Sequence, residues 1–480
     1  MRKIILLLIV IVLLFQNQTF AHSGKPQYNI IIDTDGAIDD FRAISMLLAS
    51  DEIRVLAITC SQGSLEPISN ANKVKSLLSA FYNEGIPLGI GEKTNYPLPE
   101  WNKFSEKIIW GNEIENSQNF ENSTDLLNRI SKNYPSKITL IALGSLKTYA
   151  DWVKNNPENL QKIDHIIWYN NHEKEKGFNY IIDTASYNFI VKSNIEMDIV
   201  SENRNDLICN AEYLNYLKNS SSIYAKQIYK VHHQTAVSEK VNENHLTLWD
   251  DLIPLSLSVN LFFITEQRGN LHYVTVDNSI PKTLIYESIS TLLASGISTN
   301  NRIFSSFPID TTLYKKEFAE MLKPTIEKFG EIEWKAITMT NEIHGHTGIY
   351  SIIGAKMGVR ACEYFNVGVN NLNVTTFSGN KPPLSCLNDG IQISTGATIG
   401  QGLITISDSL IQIPTVIFEF NNQKVKISLK SEISKQMQAD IIFGVKTYGM
   451  TEEYWKYIEV LAIKYWCNFD RHEIFDIERV

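Results

Sequence analysis

The sequence predicts an α/β fold, a mainly parallel sheet flanked by helices, followed by a smaller α+β domain at the C-terminus. Strand-like and helix-like segments alternate over 30–33, 41–49, 53–59, 69–81, 138–143 and 163–168, the rhythm of βαβ units. The first of them, Ile30-Ile31-Ile32, is a β-branched run without polar alternation, as expected of a strand covered on both faces. After the helical stretch 314–329 the composition changes to glycine- and histidine-containing turns, and 480 residues exceed the roughly 250–300 that one core sustains.

Met1-Arg2-Lys3, the apolar run 4–15 and Thr19-x-Ala21 form the three parts of a secretory signal peptide. Residues 1–21 are therefore expected to be removed and the remainder exported, to the periplasm or beyond. The run is too short to span a bilayer comfortably, so no stable membrane anchor is expected. The mature chain divides into 27–330 and 331–480. A net charge of -9 with no sustained Lys/Arg cluster argues against a nucleic-acid surface and favours a small ligand. Five widely spaced cysteines, Cys60, Cys209, Cys362, Cys386 and Cys467, indicate a chain held by its core rather than by disulfides.

The densest chemical signal follows the first strand, where Asp33, Asp35, Asp39 and Asp40 fall within eight residues. They lie at a strand's carboxyl end, where open α/β sheets bind ligands. Capping and the dipole of the following helix explain one or two acids, not four. Carboxylates crowded together repel unless protonated or neutralised, and a hard divalent cation answers that need. A second strand end, Leu143-Gly144-Ser145, opens on the same edge; Gly177-Phe178-Asn179 and Trp249-Asp250-Asp251 follow later.

In this order the pieces resemble the calcium-dependent nucleoside hydrolase family, whose opening pattern Asp-Thr-Asp-Pro-Gly-x-Asp-Asp stands here as Asp33-Thr34-Asp35-Gly36-Ala37-Ile38-Asp39-Asp40. The resemblance implies hydrolysis of a nucleoside to free base and ribose. It makes Asp35, Asp40, Asp250 and the Leu143 carbonyl ligands of Ca2+, and Asp35 also the general base. Asp39 would hold a ribose hydroxyl and Asn179 the sugar's 3′ or 5′ side. Trp249 stands where pyrimidine-accepting members carry His, which implies a purine preference through stacking; a core role is the alternative. The family's Glu two residues before the Asn is Gly177 here, and its Met-Gly-Gly is Tyr169-Asn170-Asn171.

Two other readings fit parts of the pattern. Asp33-Thr-Asp35-Gly also resembles the start of haloacid dehalogenase-type phosphatases, which would make Asp33 a nucleophile. The altered sugar motifs fit a non-catalytic riboside- or calcium-binding protein. An assembly of identical copies stays open.

In the second domain His344-Gly345-His346 could chelate together with Cys386 or Asp389. Turn histidines and a buried thiol are the alternative. The region resembles the formylmethanofuran dehydrogenase E family through His-Gly-His and Ser385-Cys386-Leu-Asn-Asp389-Gly-Ile-Gln392. That resemblance implies a transition metal, commonly Zn2+, on His344, His346, Cys386 and Asp389.

Overall fold

A computed structural model describes residues 27–171, 174–295, 303–304 and 306–480. The expected signal peptide, 1–21, lies outside them. Nine strands form the first sheet: β1 Tyr28–Thr34, β2 Ile53–Cys60, β3 Leu88–Ile90, β4 Glu121–Asn122, β5 Ile138–Ala142, β6 Ile163–Tyr169, β7 Met197–Ser201, β8 Phe263–Arg268 and β9 Leu271–Val276. Their order is β4-β3-β2-β1-β5-β6-β7-β9-β8, parallel except for the edge hairpin of β8 with β9. The chain leaves β1 outward to β4 and returns to β5 on the other side of β1. That reversal is a switch point, and the crevice it opens lies beyond the carboxyl ends of β1 and β5.

The central strands carry the core. Ile30, Ile31 and Ile32 are fully buried, as the unbroken apolar run predicts; Ile30 and Ile32 face one helical layer and Ile31 the other. The helix Ile38–Ala49 packs over the first layer through Phe41, Ile44 and Leu47, with the Phe41 ring stacked on Trp110 at 4.6 Å. Among the described residues, no helix is long and apolar enough to cross a membrane.

The second sheet has five strands: β10 Asn373–Thr376, β11 Ile404–Ile406, β12 Thr415–Phe420, β13 Gln423–Leu429 and β14 Phe475–Arg479, in the order β11-β10-β12-β13-β14. β10 and β11 are parallel and the remaining pairs antiparallel. The buried helix Ile349–Phe365 is the axis of this domain. The helix Lys316–Phe329, assigned to the first domain from sequence, gives Met321 and Leu322 to the second core together with Phe307. The second core therefore begins before Gly330.

The domains share a hydrogen-bonded seam. Gly85 N donates to the Tyr364 carbonyl at 2.8 Å, Asn83 Nδ2 to the Glu363 carbonyl at 2.8 Å, and Arg360 Nη2 to the Glu84 carboxylate at 2.9 Å. The Tyr82 ring, on a backbone with φ of 59°, stacks on His472 at 3.6 Å.

Candidate active site

β1 delivers Asp33 and Thr34, and the tight turn after it brings Asp39 and Asp40 back at the first turn of the next helix. Asp40 Oδ2 accepts from Thr34 Oγ1 at 2.6 Å, Asp35 N at 2.9 Å and Gly36 N at 3.1 Å. Three donors on one oxygen fix the carboxylate and leave Oδ1 for another partner. Asp250 arrives from the turn before the helix Leu252–Ser258, far along the chain. Asp39, Asp40 and Asp250, all buried, present ligand oxygens within 4.8 Å of one another. Asp250 Oδ1 is buried without a partner.

The electrostatics follow from this crowding. Burial first, then Asp40 and Asp39, push the Asp250 carboxyl well above the usual range. Burial and the charge of Asp40 raise Asp39 to about 7. Burial and Asp40 also raise Asp35 well upward, against the Ser64 amide that lowers it. Three buried carboxylates with only oxygen to offer match a hard divalent cation such as Ca2+ and match poorly a thiophilic or nitrogen-seeking one.

Asp40 and Asp250 stand together as expected, but the third member of the close set is Asp39 rather than Asp35. Asp35 is turned aside because Ser64 N donates to its Oδ1 at 3.2 Å, and it fills the space beside Gly63 and Gly144. A Cβ on Gly63 would stand 2.3 Å from Asp35 Oδ2, so that position accepts only glycine. The Leu143 carbonyl accepts from Asn179 Nδ2 at 2.7 Å, and the same amide donates to the Tyr169 carbonyl at 3.0 Å, so Asn179 and Leu143 are joined directly. Trp249 is 43% exposed beside the buried Asp250, so it is no core residue.

Asp33 does not offer a nucleophile. Its Oδ1 accepts from Thr59 Oγ1 at 2.6 Å and its Oδ2 from Ser61 Oγ at 2.7 Å, with no solvent exposure. Burial raises it to about 7. Both oxygens are engaged in holding β1 to β2, which removes the basis of the phosphatase reading.

Sequence reasoning missed an aromatic wall. Phe178, next to Asn179, meets Trp101 at 5.0 Å and Tyr96 at 6.0 Å, both edge-on, and Trp101 Nε1 donates to Ser64 Oγ at 3.0 Å. Ser64 thus ties the wall to Asp35. The available signal was Trp101 in the loop that follows β3, a large aromatic in a proline-punctuated connection at the ligand edge. Asn70 was missed as well; its Nδ2 donates to the Thr34 carbonyl at 2.7 Å from full burial.

The four-ligand site expected in the second domain is not assembled. His344 Nδ1 lies 2.8 Å from Asp389 Oδ2 and its ring 4.3 Å from that of His346, but the Cys386 thiol joins no such group. Gly345, with φ of 78°, ends the helix Glu331–His344 and turns His346 toward Trp455 instead, at 5.7 Å. Among the described residues the aspartate trio is the one set of three close ligand atoms. His344 Nε2 remains buried without a partner.

Comparison with known proteins agrees with this layout. Residues 30–278, more than half of the chain, match the model of the inosine-uridine preferring nucleoside hydrolases, and 343–475 match that of FmdE, from the molybdenum formylmethanofuran dehydrogenase operon. A probable uridine nucleosidase 2 of Arabidopsis thaliana is 28% identical over 147 residues, which are 29% of this chain and 45% of that protein. The match thus spans just under half the length of that relative. Among solved structures, a plant nucleoside hydrolase is similar with a TM-score of 0.47 and 19% identity, covering 56% of this chain and 100% of its own. A purine-preferring ribonucleoside hydrolase from Gardnerella vaginalis gives 0.47 and 15%, over 56% of this chain and 99% of its own. On the family match over more than half of its length, the chain belongs to the inosine-uridine preferring nucleoside hydrolase family and carries an FmdE domain behind it.

Proposed function

We propose that this protein hydrolyses the N-ribosidic bond of a nucleoside, purine ribosides foremost, with calcium at the trio. The observation that carries the reading is the buried set Asp39, Asp40 and Asp250 with the exposed Trp249 at its edge. Asp40 and Asp250 would hold the ion, with the Leu143 carbonyl and either Asp39 or Asp35 completing its oxygen shell. Bound calcium supplies a Lewis acid that grips a sugar diol and acidifies a water. Asp35, buried and held by the Ser64 amide, takes the proton of the attacking water. Asp39 accepts from a ribose hydroxyl, and the carboxylates together favour the positive charge that develops on the sugar. Asn179, held by two backbone carbonyls, faces the sugar, and Trp249 offers its indole face to the base.

Base release from a panel of purine and pyrimidine nucleosides, before and after calcium chelation, tests the reading. Release that persists undiminished without calcium rules it out. Binding of ribosides without any release would establish the non-catalytic alternative.

For the second domain we propose His344 as the anchor of a transition-metal site such as zinc. Its Nδ1 faces Asp389 while Nε2 has no partner, the arrangement by which a carboxylate orients a metal-binding imidazole. Elemental analysis of the parent and of His344→Ala decides this. The signal peptide motivates our proposal that the chain works outside the cytoplasm, testable by fractionation.

A further inference from the structure

One buried cation stands behind the trio. Arg42 lies two residues beyond Asp40 on the helix Ile38–Ala49, and Asp251 follows Asp250 directly. Neither side chain has solvent exposure, and they meet as a fork, Arg42 Nε to Asp251 Oδ1 at 2.9 Å and Nη2 to Oδ2 at 2.8 Å. Nη2 also donates to the Thr247 carbonyl at 3.0 Å, on the segment that leads into Asp250. The fork occupies both Asp251 oxygens, so of two adjacent acids one is left for a cation and the other is bound to the helix.

We propose that the Arg42–Asp251 pair is a positioning device: it clamps the helix start bearing Asp39 and Asp40 to the turn bearing Asp250, and thereby sets the affinity for calcium. The inference rests on the calcium reading above. In the ionised form that binds a cation, three like charges within a few ångströms push their backbone segments apart. A fork joining positions 209 apart in sequence opposes that, and it fixes direction as well as distance, which a single point charge does not. Arg42 and Asp251 touch neither the ion nor substrate, so their effect runs through the trio alone.

The test uses the full chain, stripped with chelator and titrated with calcium chloride in a calorimeter. The double variant Arg42→Met/Asp251→Leu removes both charges together, which buried pairs tolerate better than the loss of one. It is expected to keep the parent's unfolding temperature in chelator and to bind calcium about 10–100-fold more weakly. Its kcat should return to the parent's once calcium saturates. Arg42→Lys keeps the charge without the fork and is expected to lose affinity by a smaller factor; it decides the matter should the double variant not fold. Unchanged calcium affinity in a folded variant, or a kcat that stays low at saturation, overturns the proposal. A parent protein that takes up no calcium overturns instead the reading on which it rests.

Discussion

Each domain buries a group of charges, and the two groups follow opposite plans. In the first, Asp33, Asp35, Asp39, Asp40 and Asp250 share one sign, and burial raises every one of them. In the second, the signs alternate: Lys356 and Arg471 flank Glu333, Arg471 also meets Glu363, and His472 links Glu363 to Asp470. Burial alone raises Glu363, yet Arg471 and His472 hold it well below the usual carboxylate range. Hydrogen bonding to His472 brings Asp470 down to about 2. The alternating set is closed and maintains the domain. The one-sign set has at its centre the trio Asp39, Asp40 and Asp250, with Asp250 Oδ1 buried and unpartnered, which is the pattern of a site rather than of a scaffold.

The comparison can be broken most sharply at Asp35. Asp35→Asn should lower kcat by roughly 10²–10⁴-fold while the fold persists, because the base is lost and the shape kept. Base release under saturating calcium measures it, and near-normal turnover removes Asp35 from its role.

The closed set should respond in stability instead. Arg471→Met takes from Glu363 and Glu333 the arginine they share, leaving His472 alone on Glu363 and Lys356 alone on Glu333, and is expected to destabilise by about 3–5 kcal/mol in denaturant unfolding. Calcium should not compensate, since the loss lies in the other domain.

Removing the ion sharpens the contrast further. Calcium at 100 times its dissociation constant should add about 2.7 kcal/mol to the stability of the chelated protein. pH enters with a definite sign. Asp33 and Asp39 titrate near 7 when folded against 3.8 for an unperturbed group, so the folded chain holds protons that the unfolded chain has released. Without calcium, stability therefore falls as pH rises from about 4 to about 7. Asp470, depressed to about 2, acts the other way, and its contribution is lost only as pH falls below about 4. Scanning calorimetry across pH 2–8 with chelator separates the two; a flat profile between 4 and 7 would mean that Asp33 and Asp39 do not hold their protons in the folded chain.

The smallest effect is expected at the rim. Trp249→Ala should reduce kcat/KM for purine ribosides by roughly 2- to 10-fold, the worth of one stacking contact of about 0.5–1.5 kcal/mol, and for pyrimidine ribosides by less. Equal losses on both would leave Trp249 without a part in base choice.

Much of the first domain was legible because its signals are local. A short, unbroken β-branched run such as Ile30-Ile31-Ile32 reads as a covered strand, and acids at its end are read at once as a ligand edge. What sequence could not give is which way each carboxylate turns: Asp35 is drawn off by the Ser64 amide, and Asp39 takes the place beside Asp40 and Asp250. Trp101 reaches the site from a connection and Asn70 from the first turn of the helix Pro67–Ala80, and no periodicity announces either. Asp251 reads in sequence as a duplicate of Asp250, because the arginine that engages it lies 209 positions away. In the second domain the motif was equally visible, but a ligand set drawn from two helices depends on their docking: His344 meets Asp389 and lies against His346, and Cys386 does not join them.

The seam at Tyr82 to Gly85 bears on how such a chain is inherited. A Cβ on Gly85 would stand 2.5 Å from the Tyr364 carbonyl, and Arg479, near the very end of the chain, donates to the Glu84 carbonyl at 2.6 Å. The turn that leads into β3 is thus shaped against its neighbour, side chain by side chain. Two modules joined in this way cannot be traded freely among genes: a new neighbour would have to bring a matching Tyr364, Arg360 and C-terminal strand with it. The fusion is a commitment, and divergence on one face of the seam constrains what the other face can become.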